Sequence, residues 1–240
     1  IDVSKKVLGS DSSAAVYATA STRGQSYDLL TASTGDNNIN DIMTGARWAD
    51  TNGNSDGIYL TYSFPNSNTD WSPHETALNT SNLSSNISAP SSSLQKIIKA
   101  LLNDLSSFTN LNFIEVQDTG SSQGDLNFNI GSTTLMNGGL RGLGFPPSYF
   151  DQSFDGTVLL IDENYFSSTS NYAEFLVAHE LGHALGLGHP FHKYALSPHY
   201  TFGTDNSVGS SARDSSIYTV MSYGFDGWSR SDPTTGSYMV

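Results

Sequence analysis

The sequence carries the patterns of both strands and helices, which agree with an α+β domain. Short segments carry the alternation, or the β-branched and aromatic residues, that are typical of strands. Longer segments repeat apolar residues at steps of three and four, as helices do. The strand patterns cover 58–64, 111–116, 125–131 and 157–162, and the helical patterns cover 91–108 and 171–186.

The two predicted helices differ in how their apolar residues are distributed. In 91–108 these residues form one stripe, which indicates that one face of the helix packs on a core. In 171–186 they lie nearly all round the helix. We therefore expect the second helix to be buried.

The second helix carries histidines at a spacing that suits a metal ion. His179 and His183 are four residues apart, so their side chains lie one turn apart and can reach the same ion. Gly186 supplies the backbone freedom to leave the helix, and the turn after it can bring His189 back as a third ligand. Glu180 projects to one side, where its carboxylate can reach water at the metal without ligating the metal.

A catalytic zinc ion has three protein ligands, here three neutral imidazoles, and one open coordination position. A structural zinc site closes that position with a fourth protein ligand. Zinc lowers the pKa of its bound water to about 7, and Glu180 can take the proton as that water attacks a carbonyl group. The simpler interpretation is a buried helix with incidental histidines. The positions of Gly186 and His189 favour the zinc site, because they lie where a third ligand requires them.

Residues 179–189 resemble the signature of the metzincin metallopeptidases, His-Glu-x-x-His-x-x-Gly-x-x-His, and residues 216–223 resemble their Met-turn. Pro190 after the third histidine, with Met221-Ser222-Tyr223, is similar to the serralysin group. The resemblance implies that Met221 forms the hydrophobic base under the imidazoles. It also implies that Tyr223 ligates zinc at rest and swings away to stabilise the oxyanion.

The same resemblance implies the arrangement of the fold. A twisted, mostly parallel sheet with an antiparallel edge strand is expected on two long helices. We expect one metzincin domain over 1–240, with an upper lobe to about 187 and a small, irregular lower lobe over about 188–240. The calcium repeats that follow in serralysins do not appear. In metzincins the strand that corresponds to 125–131 is the sheet edge, so Asn127, Phe128 and Asn129 are expected to pair with substrate.

Two alternatives remain beside the serralysin interpretation. Residues 142–147 faintly resemble a matrixin loop that holds structural zinc and calcium. No histidine occurs between His74 and His179, so the imidazole ligands of that second zinc are absent, which argues against a matrixin-like enzyme. The other alternative is a binding or adhesion module that keeps zinc without turnover, and the presence of Glu180 argues against it.

Composition limits the partners and the location of the protein. The net charge of −13 disfavours a nucleic-acid partner, which would require a basic patch. The absence of cysteine excludes disulfides and thiolate metal sites. No segment approaches the roughly 20 apolar residues of a membrane span. We expect a secreted, extracellular, bacterial peptidase that acts as a monomer on protein or peptide substrates.

Residues 50–57 form the one pattern that suggests a second cofactor. Asp50, Asn52, Asn54 and Asp56 alternate ahead of Gly57, and oxygen side chains in such a loop suit Ca²⁺. The spacing departs from the EF-hand, and no glutamate closes the loop. A turn rich in Asp, Asn and Gly explains the segment equally well.

Overall fold

A computed structural model describes the parts of the chain that form the sheet, the helices and the histidine cluster. The described residues are 18–19, 26–29, 34–49, 57–78, 81–120, 122–136, 141–147, 154–161, 170–190, 215–216 and 218–222. None of the helices among them is long and apolar enough to cross a membrane.

Nine strands and four α-helices are assigned within the described residues. The strands are β1 (Ala18–Thr19), β2 (Ser26–Leu29), β3 (Ala46–Ala49), β4 (Ile58–Ser63), β5 (Ile87–Ser88), β6 (Leu111–Gln117), β7 (Leu126–Gly131), β8 (Gly142–Gly144) and β9 (Thr157–Ile161). The helices are α1 (Asn37–Asn40), α2 (Ser72–Leu78), α3 (Ser92–Phe108) and α4 (Ser170–Ala184). Each predicted strand and helix is present, with bounds that differ by one or two residues.

The main sheet has the strand order β1-β6-β4-β7-β9-β8. All neighbours in this order are parallel except β8, which runs antiparallel to β9 at the end of the sheet. The short strand β5 runs antiparallel to the end of β7, and β2 and β3 form a separate antiparallel pair. The predicted α+β architecture, a mostly parallel sheet with an antiparallel edge and two long helices, is confirmed.

The prediction that 125–131 forms the sheet edge is wrong. Strand β7 lies inside the sheet, with β9 on one side and both β4 and β5 on the other. Asn127, Phe128 and Asn129 have no exposed surface. The edge position was implied by the resemblance to metzincins, and in this chain both faces of the strand are covered. There the Asn127 amide donates to the Ser63 hydroxyl at 3.0 Å, and the Asn129 amide donates to the Asn127 carbonyl at 2.9 Å.

The edge strand is β8, which lies in the segment 142–147 whose sequence resembles a matrixin loop. It pairs with β9 through Leu143 opposite Leu159, and no described strand pairs with its other side. Its glycines hide the strand from propensity rules, because glycine is depleted in strands. The reason for these glycines becomes clear at the histidine site.

The two long helices share one core with the sheet. Helix α3 contributes one stripe, in which Leu94, Ile98 and Leu102 are buried. Helix α4 packs against α3, β8 and β9, and Glu174 is its one exposed side chain between positions 172 and 184. The core therefore encloses the helix that carries the first two histidines.

Candidate metal centre

Helix α4 ends in a way that returns the chain toward its own last turn. Gly186 has φ +103°, a value that L side chains rarely adopt. Its N–H donates to the His183 carbonyl at 2.9 Å, and the Leu187 N–H donates to the Gly182 carbonyl at 2.8 Å. This pair of bonds is a Schellman motif. It reverses the chain within a few residues, so His189 comes back to the face that carries His179 and His183.

The three imidazoles converge on a common point. The Nε2 atom of His189 lies 3.1 Å from Nε2 of His179 and 3.0 Å from Nε2 of His183. Tetrahedral zinc with Zn–N bonds of about 2.0–2.1 Å separates its nitrogen ligands by roughly 3.3 Å. Among the described residues, these histidines are the one group of His, Cys, Asp and Glu side chains that could hold a metal ion.

Backbone carbonyls fix the protonation of two of these rings. The Nδ1 atom of His179 lies 2.7 Å from the Val220 carbonyl, and Nδ1 of His183 lies 2.9 Å from the Leu187 carbonyl. A carbonyl can only accept, so each Nδ1 carries the proton and each Nε2 presents a lone pair toward the common point. Burial, with a smaller effect of His183, lowers the pKa of His179 to about 4, so the ring is neutral, as a metal ligand must be.

Glu180 lies beside the histidines and against the edge strand. Its side chain is buried, and burial raises the pKa of its carboxyl group to about 8, while a backbone hydrogen bond from Gly144 acts in the opposite direction. A methyl group on Gly142 would overlap the carboxyl group of Glu180, and one on Gly144 would overlap the Glu180 backbone. The glycines of β8 therefore allow the strand to approach the helix closely. A bound cation would lower this pKa again, because its charge favours the carboxylate.

Met221 packs against helix α4 at Gly182. Its side chain has no exposed surface, and its sulfur occupies the space that a side chain at Gly182 would need. The preceding residue, Val220, accepts the hydrogen bond from His179. The segment 218–222 therefore packs on α4 and orients the ring of the first histidine. Tyr223 lies outside the described residues.

Comparison with known protein families agrees with this geometry. The sequence profile of the family described as Matrixin matches residues 70–221, which is more than half of the 240-residue chain. The chain belongs to the matrixin family. No curated protein sequence matches it.

Several expectations from the sequence are confirmed by the family and the histidine cluster together. This matrixin is a metzincin zinc endopeptidase, with a catalytic zinc site formed by His179, His183 and His189 and with proteins as its substrates. The family found is the one that the missing histidines argued against, so that argument did not exclude matrixins. The finer assignment to the serralysin group is not shown by the match.

The calcium hypothesis concerns residues 50–57. Residues 50–56, which carry the oxygen side chains of the calcium hypothesis, lie outside the described residues. Gly57 is described, and its backbone conformation explains why a glycine is present there. Its φ is +110°, and a methyl group there would overlap the Asn110 carbonyl, where β4 begins beside β6. Calcium binding stays a prediction.

Sequence reasoning missed two groups of residues around the centre. One is Gly142 and Gly144, which contact Glu180; the Gly-x-Gly spacing within the segment 142–147 was the available signal. The other is a segment near Thr44 and Trp48 that contacts the turn after α4. No sequence signal pointed to it, because the two segments are separated by 136 residues or more.

Proposed function

We propose that Glu180 is the general base of this zinc endopeptidase and takes the proton from the water that attacks the scissile carbonyl. The observation that carries the proposal is the position of Glu180 next to His179, on the helix whose imidazoles converge on one point. A bound zinc ion supplies Lewis-acid chemistry that makes water nucleophilic near neutral pH. Gly144 donates its N–H to the Glu180 carboxyl group and so fixes the direction in which the base accepts a proton.

The substrate chain is held, in this proposal, along the open side of β8. The Phe145 N–H donates to the Thr157 carbonyl at 2.9 Å. Residues alternate in an antiparallel pair between those that bond across it and those that point away. Gly142 therefore directs its N–H and carbonyl away from β9, and Gly144 directs its carbonyl the same way, while the Gly144 N–H is bonded to Glu180. An extended peptide can add to this edge by main-chain hydrogen bonds, which give affinity with little dependence on side chains.

This edge replaces Asn127, Phe128 and Asn129 as the substrate-pairing residues. It also brings the substrate to the base, since the same strand contacts Glu180. In this proposal the short strand β8 both binds the substrate backbone and lies against the general base. We assign Met221 the role of hydrophobic base under the triad, which its full burial supports.

We further propose that the site is of the serralysin type within the metzincins. Pro190 directly after the third histidine supports this, as does the absence of any histidine between His74 and His179 that could hold a second zinc ion. In this proposal Tyr223 would be a resting ligand of a bound zinc ion and would stabilise the oxyanion during turnover. We also propose that the peptidase is secreted, bacterial and monomeric; its acidic, cysteine-free composition is compatible with an extracellular location.

Replacement of the proposed base tests the central assignment. Glu180→Ala is expected to keep stoichiometric zinc and to lose about 10²–10⁴-fold in kcat/KM, the usual contribution of a general base. Zinc analysis and casein hydrolysis on wild type and variant measure both quantities. Glu174→Ala is the matched control, because Glu174 is an exposed glutamate on the same helix. Activity near wild type in Glu180→Ala would refute the base. Zinc without any cleavage in the wild type would favour a binding module.

A metal count and one tyrosine variant test the serralysin assignment. We expect one zinc ion per chain after purification without added metal, and two would favour a two-zinc matrixin site. Tyr223→Phe is expected to lower kcat with KM little changed, which is the pattern of a contact made only in the transition state. A change confined to KM would count against the oxyanion role.

A further inference from the structure

The turn after α4 is in contact with a segment from far earlier in the chain. This segment comprises residues 42–48 and is called the strap below. The strap precedes residues 70–221, the part that matches the matrixin family. Several of its hydrogen bonds go to the residues between the second and the third histidine, which lie at or after the end of the helix.

Four hydrogen bonds join the strap to backbone N–H and carbonyl groups of residues 184–188. The Trp48 indole N–H donates to the Ala184 carbonyl at 2.9 Å. The Gly186 carbonyl accepts from both the N–H and the hydroxyl of Thr44, at 3.1 Å and 2.8 Å. The Gly188 N–H donates to the Ile42 carbonyl at 2.7 Å. Met43 and Leu187 complete the contact as an antiparallel bridge.

These bonds complete the hydrogen bonding of the helix end. The last carbonyls of a helix have no partner within it. The carbonyls of Gly182 and His183 accept the two Schellman hydrogen bonds, and the Leu181 carbonyl accepts from the Leu185 N–H. The Ala184 carbonyl accepts the hydrogen bond from the indole N–H of Trp48, whose side chain is buried. A methyl group on Gly186 would overlap the Ala46 carbonyl, so strap and turn are also packed in direct contact.

The turn controls two of the three imidazoles. Leu187, which bridges to Met43 of the strap, also presents the carbonyl that orients the His183 ring. His189 follows Gly188 directly, and the Gly188 N–H is bonded to the strap. A displacement of the turn would therefore move His189. It would also break the hydrogen bond that keeps the proton of His183 on Nδ1.

We propose that the strap is a positioning element of the zinc site, with Thr44 and Trp48 as its positioning residues. The proposal rests on the zinc role of the three histidines. The strap holds the turn so that the Nε2 atom of His189 stays directed at the point that the other two imidazoles share. Partners outside the first ligand shell typically contribute 10–100-fold to metal affinity, because they fix the orientation of the ligands.

The test uses the full chain loaded with zinc and measures transfer of zinc to a chromogenic chelator, below the temperature at which any form unfolds. Thr44→Val keeps the shape of the side chain and removes the hydroxyl donor, and Trp48→Phe removes the indole donor. We expect each to lose zinc about 10-fold faster than wild type, with a parallel fall in equilibrium zinc affinity. Thr44→Ser keeps the donor and is expected to restore the wild-type rate.

Thr109→Val is the matched control, because the Thr109 hydroxyl donates to the Leu105 carbonyl at 2.6 Å at the end of α3. Its zinc transfer should equal that of wild type. Wild-type transfer in both Thr44→Val and Trp48→Phe would overturn the strap while leaving the zinc site intact. A lowered melting temperature with unchanged transfer would also overturn it, because the strap would then be merely structural. A wild-type chain without stoichiometric zinc would overturn the site and the strap together.

Discussion

The two long helices are held at their ends in different ways. At α3 the closing groups are local: the Ser91 hydroxyl accepts from the Leu94 N–H at 3.2 Å, and the Thr109 hydroxyl donates to the Leu105 carbonyl at 2.6 Å. At the end of α4, Thr44 and Trp48 supply the contacts, from 142 and 136 residues away. The helix without catalytic groups is closed by its own neighbours, whereas the local Schellman turn at the end of the helix that carries the ligands is also bonded to a remote segment.

This difference follows from what each helix must position. Helix α3 needs only to keep one apolar stripe on the core, and small shifts of its ends move no reacting group. Helix α4 must return His189 to a point defined by His179 and His183, with an accuracy of tenths of an ångström. Local caps fix the conformation of a helix end but not its position relative to other elements. Long-range bonds from the strap fix both.

The largest effect on stability is expected from a core substitution in α3. Ile98 has no exposed surface, and Ile98→Ala should lower the free energy of unfolding by about 2–5 kcal/mol, from lost burial and the cavity left behind. We expect the stabilisation contributed by zinc to remain that of wild type. Denaturant unfolding with and without zinc measures both quantities. A reduced zinc contribution would show that the two helices are not independent.

A substitution at the end of α4 should cost less stability than Ile98→Ala but should reduce the stabilisation contributed by zinc more. Gly186→Ala places a side chain at φ +103° and against the Ala46 carbonyl, which should cost about 1–3 kcal/mol. The zinc contribution should also shrink, because the turn to His189 is displaced. Gly35→Ala is the control, since Gly35 has φ +84° with nothing within 4 Å. An equal zinc contribution in Gly186→Ala and Gly35→Ala would remove the distinction between the two helix ends.

The smallest of the three effects is expected at the start of α3. Ser91→Ala removes the N-cap acceptor and should lower the free energy of unfolding by about 1 kcal/mol. Zinc affinity and kcat/KM should stay unchanged. Ser93→Ala is the control, because Ser93 is exposed in the first turn and does not cap the helix. A measurable loss of zinc affinity in Ser91→Ala would contradict the view that this helix end serves only local structure.

Sequence patterns predicted the strands that are buried and rich in apolar residues, as well as both long helices. They failed where burial and polarity diverge. Strand β7 carries polar residues at alternate positions, yet Asn127 and Asn129 are fully buried, because neighbouring strands supply partners for their amides. Strand β8 was hidden by its glycines, which are present so that the strand can lie against Glu180. Neither condition is visible in a single segment.

The sequence by itself determined the ligand set of this protein. The spacing of His179, Glu180, His183, Gly186 and His189 is a property of one helix and its exit turn, and local geometry is enough to predict which groups meet. Only the tertiary structure decided which strand forms the open edge and which remote segment holds the third ligand. Those outcomes depend on pairing between residues more than a hundred positions apart, and no local spacing encodes them.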